Sequence, residues 1–498
     1  MATERFRHDS MGMASDAQRT ETEPGRAAAG ATAAKSSGSA AGGGPRAGSS
    51  RRALLVVMCA GYFLVLLDVT IVNVALPQIG DGLGAGVSGL QWIVDGYALA
   101  LAALLLAGGT IGDLRGHKRV VLAGLTVFGV GSLGCGLAPG IGVLVGARVA
   151  QGVGAALLLP GTLAIIADAF PGRGEQARAI GIWAGLGSVA LPAGPLLGGA
   201  LIELIGWRAV FLVNVPIVAI AGALTVRVVP GRAGDLARRV DRAGVLSAGL
   251  LLTAVIFAFI EAGRGGLDRL VVVAAVGAVL LATVFVRVER SQPDPMLPPG
   301  LFGRRGFAAA NAVAGIMNLG TLGLLFLVTL YLQTVQGRSA LGAGVAVVPL
   351  FAPLALLAPL AGRITGRVGP RPVMLAGLLL AAAGVGQLTT WQPDTPYLEL
   401  LPGLLGWGVG LALLTPAAVA AAPAGRSGLA SGINNTARQA GGAIGIAAFG
   451  AIAGPPAAGA GFLTGLHVSA LITAALFVVA ATVTAGLIGA SLETRATE

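Results

Sequence analysis

From residue 53 onward, the chain alternates long apolar runs with short polar breaks. Each run has about 20 residues, the length that an α-helix needs to cross roughly 30 Å of hydrocarbon. The pattern therefore predicts about fourteen membrane-spanning helices. Their predicted spans are 53–77, 89–112, 119–138, 140–168, 179–203, 207–229, 244–262, 269–288, 306–332, 341–362, 372–391, 398–422, 427–453 and 466–490.

The two ends of the chain do not follow this pattern. Residues 1–52 are rich in Gly, Ala and Ser with scattered charges, and they hold almost nothing apolar to bury. That composition predicts a disordered cytoplasmic tail. Residues 491–498 are interpreted as a second, short cytoplasmic tail.

The composition supports a polytopic, all-α membrane protein. Of the 498 residues, 55% are hydrophobic and only 11% are charged, whereas a soluble domain has about 25% charged residues. Mean hydropathy is +0.84. The two cysteines both lie in apolar runs and the chain has only three histidines. This usage predicts neither a disulfide framework nor a metal site, and we expect no cofactor.

The net charge of +11 comes mostly from arginines that are unevenly distributed among the loops. We interpret this distribution as a signal of membrane topology rather than of nucleic-acid binding. With the N-terminus inside, the inside loops carry most of the Arg and Lys residues. The outside loops carry only four. Cytoplasmic loops are enriched in Arg and Lys. We therefore expect a multi-pass protein of the cell (inner) membrane with both termini cytoplasmic. The outside residues are Arg208, Arg264, Arg269 and Arg338.

An internal repeat divides the predicted helices into two halves. Gly109, Asp113 and Gly116 close the second helix, and a similar glycine-spaced, basic turn begins at Gly362, 253 residues later. Parallel repeats around a central substrate site are a transporter design. The predicted domains are a six-helix bundle (53–229), a two-helix insert with linkers (230–305) and a second six-helix bundle (306–490).

Two ionisable residues lie inside otherwise apolar helices. Asp68 is near the middle of the first helix and Arg148 is in the fourth. Ionisable groups inside a membrane are costly and mark candidate functional sites. Asp68 could load and release a proton, and Arg148 could respond to it. The alternative is a permanent pair that holds two helices together. Gln151 shares a helix face with Arg148.

Glycine and proline residues mark helix contacts and bends. Gly187, Gly194 and Gly198 form one stripe on the fifth helix, where small residues let helices approach closely. We interpret these residues, with Pro195 and Gly199, as a gating motif or as ordinary close packing. Gly109, Asp113 and Gly116 form either a cytoplasmic latch or a pure topology signal.

Several polar residues are candidates for lining the substrate cavity. Asp95, in the second helix, could be a second proton site, could bind a cationic substrate or could face an outer vestibule. The thirteenth helix carries a polar cluster that either lines the cavity or serves helix packing. The cavity candidates are Asp95, Gln151, Asn311, Asn318, Asn434 and Arg438.

Together these motifs resemble the major facilitator superfamily, and more closely its fourteen-helix drug:proton antiporter branch. The resemblance covers about 53–490 and rests on LDVTIVNVALP (67–77), the loop from Gly109 to Arg119, the fourth-helix Arg148 motif, GLGSVALPAGPLLGG (185–199) and SGINNTARQAGGAIG. It implies the major facilitator fold and a role for Asp68 and Arg148 in proton coupling.

The chain departs from the family pattern in four places. Leu114 and His117 stand where the loop usually has basic residues, Pro192 is an extra proline, and Gly366 replaces an acid. The tenth helix lacks the acidic residue that some exporters of dicationic drugs carry, so dications are less expected as substrates.

The leading hypothesis is a proton-coupled antiporter that exports hydrophobic drugs or antibiotics by alternating access. Its partners would be the lipid bilayer, the small substrate and protons. The alternatives are a specific proton-coupled transporter of a metabolite or siderophore, and a membrane enzyme. An enzyme is the weakest of these, because the sequence has no HExxH motif and no phosphate-binding GxxxxGK[ST] loop.

Overall fold

The computed structural model describes residues 44–231, 241–266, 268–292, 305–420 and 427–487, with positions 295, 297, 300 and 303. Within these ranges the chain is helical, and each predicted span contains a helix. The helices are α1 (Gly44–Leu83), α2 (Val87–Arg115), α3 (His117–Gly136), α4 (Ile141–Ala169), α5 (Arg173–Leu204), α6 (Ala209–Val228), α7 (Arg242–Gly265), α8 (Arg269–Ser291), α9 (Arg305–Leu330), α10 (Ala340–Ala346 and Val348–Val368), α11 (Pro370–Gly386), α12 (Tyr397–Ala420), α13 (Ser427–Ala453) and α14 (Ala460–Leu487).

In the described part of the chain, thirteen helices are long and apolar enough to cross a membrane, and the bent pair of α10 makes a fourteenth. The two segments of α10 meet at an angle of 44°. Pro349 lies in the first turn of the second segment. Backbone N–H groups in a first turn have no acceptor within the helix, so the N–H that proline lacks costs no hydrogen bond there.

The start of the first helix is the boundary that differs most from the sequence prediction. The helix α1 begins at Gly44, so residues 44–52 are helical although they were assigned to the disordered tail. Pro45 lies in the first turn, where proline is tolerated, and the segment continues into the apolar span that begins at Arg51. Most of the predicted tail, residues 1–43, lies outside the described residues, as do residues 488–498.

Helices pack mainly within two groups. In the first half, α1–α6, α4 packs against α2 and α3, and α6 packs against α3. In the second half, α9–α14, α9 packs against α13 and α14, and α11 packs against α12. Glycines allow the closest of these crossings: a side chain at Gly441 in α13 would collide with the backbone of Gly315 in α9.

The two helices of the insert pack against each other, and α7 also contacts α2 and α13. The insert therefore lies against one helix from each half. Asp241 and Asp268 cap α7 and α8 by accepting backbone hydrogen bonds from Gly244 and Val271, which satisfies donors that a helix start leaves unpaired.

The halves meet along two helix pairs, α2 with α13 and α5 with α10. We call the end that carries the arginine-rich turns the inner end, and the other the outer end. Close contacts between α5 and α10 lie at the outer end: Leu341 N donates to Glu203 at 3.0 Å. The two helices therefore touch at the outer end.

Candidate functional site

Asp68 lies at the centre of a polar network inside the first half. Its side chain is fully buried and forms an ion pair with Arg148. The other carboxylate oxygen accepts hydrogen bonds from Gln151 Nε2 at 3.2 Å and Asn214 Nδ2 at 3.1 Å. A buried carboxylate requires such partners, since an unpaired buried charge is very costly. The structure therefore joins α1, α4 and α6 through one carboxylate.

Arg148 is enclosed on every side. Its Nε donates to the Ile93 carbonyl of α2 at 3.0 Å, and Nη1 also donates to Gln151 Oε1 at 2.9 Å. The guanidinium carbon lies 4.4 Å from the centroid of the Tyr97 ring, a cation–π contact. Only 1% of the residue is exposed. Asp68 and Arg148, both singled out by the sequence, are thus direct partners.

Small residues allow the helices around this network to come close. A side chain at Gly152 would collide with the Tyr97 backbone, and one at Gly131 would collide with Gln151. Ser132, the neighbour of Gly131 in α3, accepts a hydrogen bond from Gln151 Nε2 at 2.8 Å. The glycines beside Arg148 and Gln151 therefore let α2 and α3 close over the ion pair.

Three members of the network were not identified from the sequence: Tyr97, Ser132 and Asn214. Ser132 and Asn214 are buried polar side chains in largely apolar helices, which is the signal that could have found them. Tyr97 gives no such signal. Gln151 was predicted to line the substrate cavity, and the structure places it in this buried network with no exposed surface.

The glycine stripe of α5 faces α1. Side chains at Gly194 and Gly198 would collide with Thr70 and Ile71, and one at Gly187 would collide with the Tyr62 ring. The stripe is thus a helix contact immediately beside Asp68, which lies two residues before Thr70.

Two other residues of the predicted motif face the second half. Gly199 lies against the backbone of Ala340 and Leu341, and the carbonyl of Pro195 lies against Gly344. Helix α5 therefore contacts α1 through one set of small residues and α10 through another.

The predicted latch residues lie at the turn between α2 and α3. Gly116 has φ +87° and its counterpart Gly369 has φ +83°, a conformation that glycine adopts without strain. Asp113 and His117 approach to 3.3 Å, and Gly109 packs against Pro160. The repeat predicted from the sequence is thus present as two similar turns.

Asp95 is fully buried where α2 meets α13, and within the described residues neither carboxylate oxygen has a hydrogen-bond partner. One turn earlier, Gln91 Nε2 donates to the carbonyls of Ile446 and Ala447 at 3.1 and 2.9 Å. The α2–α13 contact thus holds one satisfied polar side chain and one unsatisfied side chain.

The remaining cavity candidates lie in the second half. Asn434 Nδ2 donates to Asn311 Oδ1 at 3.5 Å, which brings α13 and α9 together, and Asn318 is buried further along α9. Arg438 is half-buried on α13, four residues after Asn434. Among the described residues, no three His, Cys, Asp or Glu side chains form a group that could hold a metal ion.

The sequence pattern of the Major Facilitator Superfamily matches residues 58–446. The chain belongs to this superfamily. It is 39% identical over 400 residues to the multidrug resistance protein Stp of Mycobacterium tuberculosis, covering 79% of this chain and 74% of the relative. It is also 39% identical to the puromycin resistance protein pur8 of Streptomyces alboniger, covering 78% and 79%.

A solved superfamily-type structure supports the fold. A bacterial homologue of the human lysosomal transporter Spinster aligns with a TM-score of 0.63 at 19% identity, over 89% of this chain and 97% of that chain. The predicted major facilitator fold, and the resemblance to the drug-exporter branch, are confirmed. This superfamily member is a multi-pass membrane transporter and not an enzyme.

Proposed function

We propose that this superfamily member exports drug-like or antibiotic molecules in exchange for protons, by alternating access. The observation that carries the proposal is the fully buried Asp68–Arg148 ion pair in the middle of a membrane-spanning bundle. A charge at that depth is a functional site by default. The relatives that are named for resistance to several drugs, to puromycin and to methylenomycin A support export as the function.

Asp68 is the proposed proton carrier. When it takes up a proton, it loses its charge and its attraction to Arg148, so the network of Gln151, Ser132 and Asn214 must rearrange. A group that changes its partners on protonation is able to bias a two-state equilibrium. Arg148 would hold the carboxylate charged until a proton or a substrate arrives.

Alternating access is supported by how the halves touch. Helices α5 and α10 contact each other closely at the outer end, where Gly199 and Gly344 each lie against the backbone of the other helix. We infer that the described arrangement is closed at the outer end. Rocking one half against the other would open that end.

The first test is export from cells. A bacterial strain without its own major exporters, expressing the full chain, should tolerate several-fold more of several compounds in a panel that includes puromycin and methyl viologen. A proton uncoupler should remove the protection. If the chain protects against none of the compounds while it is present in the membrane, export is contradicted. If the chain protects against a single compound, the result indicates a specific transporter.

The second test isolates coupling. Purified protein in liposomes under an imposed pH gradient should export a protective compound, and Asp68→Asn should stop export while substrate binding persists. The matched control is Asp81→Asn, which makes the same substitution at an exposed position of α1. An Asp68→Asn protein that still exports against a gradient would exclude Asp68 as the carrier.

A further inference from the structure

Two carboxylates face each other at the inner end of the insert. Asp241 directly precedes α7, and Glu289 lies in the last turn of α8. A Cβ built on Gly244 would lie 2.3 Å from Asp241 Oδ2 and 2.6 Å from Glu289 Oε1, so these two oxygens are at most about 5 Å apart. Because Gly244 has no Cβ, the two acids can approach each other across the first turn of α7.

Each carboxylate uses one oxygen in the fold and leaves the other free. Asp241 Oδ1 accepts a hydrogen bond from Gly244 N at 2.8 Å, and Glu289 Oε2 accepts one from Leu297 N at 2.8 Å. The facing oxygens, Asp241 Oδ2 and Glu289 Oε1, are buried and have no hydrogen-bond partner among the described residues. Glu289 is only 3% exposed. Buried polar atoms nearly always have a partner, so the pair lacks a group that binds both free oxygens.

The described residues supply no positive charge to this pair. None of the ion pairs among them includes Asp241 or Glu289. Arg242 and Arg290, the nearest cations in the sequence, have exposed side chains. Two like charges this close repel each other, and burial removes the water that would screen them. Both acids therefore stay ionised only if a cation joins them.

The pair also holds the chain that leads from the insert to the second half. Leu297, whose N–H binds Glu289, packs together with Leu106 of α2 against Phe307 of α9 and Ile433 of α13. Residues from both halves thus meet beside the acids, at the inner end. A ligand on the two carboxylates would fix the insert at this junction.

We propose that Asp241 and Glu289 form a binding site for a hard divalent cation, Mg²⁺ or Ca²⁺. Both ions prefer oxygen ligands, and Mg²⁺ is commonly held by one or two carboxylates while it keeps several waters. Asp241 is only half-buried, and water on that side completes the coordination. The cation neutralises the pair and ties the start of α7 to the end of α8. The site lies outside the Asp68 network and does not depend on the proposed export function.

Thermal unfolding of the full-length protein in a neutral detergent tests the site. The protein is first stripped with EDTA and then titrated with MgCl₂ or CaCl₂. A ligand that binds only the folded state raises Tm as its concentration rises. We expect a saturable rise with a midpoint at about 0.1–1 mM, as for weak oxygen sites. Choline chloride at the same ionic strength should not produce it. The proposal is overturned if neither divalent cation raises Tm.

Isosteric variants separate the cation from packing. Glu289→Gln and Asp241→Asn each keep an oxygen that accepts the existing backbone hydrogen bond and remove one negative charge. In EDTA both should be at least as stable as the unsubstituted protein, because the repulsion is gone, and both should lose the rise in Tm with Mg²⁺ or Ca²⁺. The matched control is Asp268→Asn, which caps α8 at its outer end through Val271 N at 2.9 Å and should keep the full response. A full response in Glu289→Gln contradicts the site.

Paramagnetic resonance of Mn²⁺, which shares the oxygen ligands of Mg²⁺ and Ca²⁺, measures binding directly. The unsubstituted protein should bind an additional Mn²⁺ ion that Glu289→Gln does not bind, and competition with Mg²⁺ or Ca²⁺ identifies which ion is preferred. If a shared proton or an arginine from elsewhere in the chain neutralises the acids, the two proteins will bind Mn²⁺ equally. That result would show that the pair is not a divalent-cation site.

Discussion

Asp68 and Arg148 neutralise each other's charge inside the bundle, where few other polar groups are available to stabilise either charge. The carboxylate has amide donors from Gln151 and Asn214, and the guanidinium has the Ile93 carbonyl and the Tyr97 ring. Removing one partner of a buried pair is more harmful than removing both, because an uncompensated charge remains.

The effects of substituting Asp68 and Arg148 on the free energy of unfolding should therefore be coupled. Asp68→Asn should lower the thermal stability of the purified protein. The double variant Asp68→Asn/Arg148→Gln should recover part of the loss, with an interaction free energy of about 0.5–3 kcal/mol. Transport should stay absent in both. Thermal unfolding in detergent measures this. Additive effects of the two substitutions would show that the pair is not energetically coupled.

The sequence could predict these two residues, because an ionisable side chain in an apolar helix stands out. It could not predict Ser132 and Asn214 as their neighbours. Their helices, α3 and α6, reach the Asp68 network only through tertiary packing, and nothing local to either helix indicates which carboxylate it approaches. Tyr97 was missed for a different reason, because an aromatic residue in an apolar run is ordinary.

At the scale of the element, α5 has two faces with different partners. Gly194 and Gly198 let α1 approach, while Gly199 and Pro195 meet α10 across the boundary between the halves. Helix periodicity predicted the first face, because positions seven and eleven residues beyond Gly187 lie on one stripe. It could not predict that the residue next to Gly198 faces the other half.

The position of a glycine on α5 should decide whether its substitution by alanine lowers or raises the free energy of unfolding. Gly194→Ala should destabilise the protein by about 1–3 kcal/mol, since the methyl group meets Thr70 and the Ile71 backbone. Gly185→Ala, where no atom lies within 4 Å of the new Cβ, should be neutral or stabilising by up to about 1 kcal/mol. Thermal unfolding of the two variants measures both. Destabilisation of equal size would refute the assignment of the stripe.

At the scale of the whole molecule, the halves are joined by glycine-rich and backbone contacts that can separate. Gln91 donates to two carbonyls of α13, and Glu203 accepts from the Leu341 N–H of α10. Because these contacts involve few charged groups, few charges lose their partners when the halves move apart. The arginine asymmetry predicted the number of spans, and the cytoplasmic placement of both termini stays a prediction.

A bridge across the outer contact should stop the cycle. The pair Glu203→Cys and Leu341→Cys, joined by a short bismaleimide, should lose transport in proportion to the fraction cross-linked. Single-cysteine variants treated alike should keep it. Cys59 and Cys135 are buried and should not react.

A bridge within one half provides the matched control. Gly134→Cys and Ala147→Cys join α3 to α4, where a Cβ built on Gly134 lies 3.2 Å from the Ala147 Cβ, and cross-linking there should leave transport intact. Full transport by the cross-linked Glu203–Leu341 pair would contradict alternating access through this contact.

Because Asp68 and Arg148 both belong to the first half, they move together whenever that half moves. The pair has no net charge when Asp68 is ionised, and one positive charge when it holds a proton. Under the proposed exchange, a neutral drug leaving as one proton enters transfers one elementary charge, worth about 2.3 kcal/mol per 100 mV of membrane voltage. An organic anion leaving in the same cycle transfers two, so voltage contributes twice as much to its export.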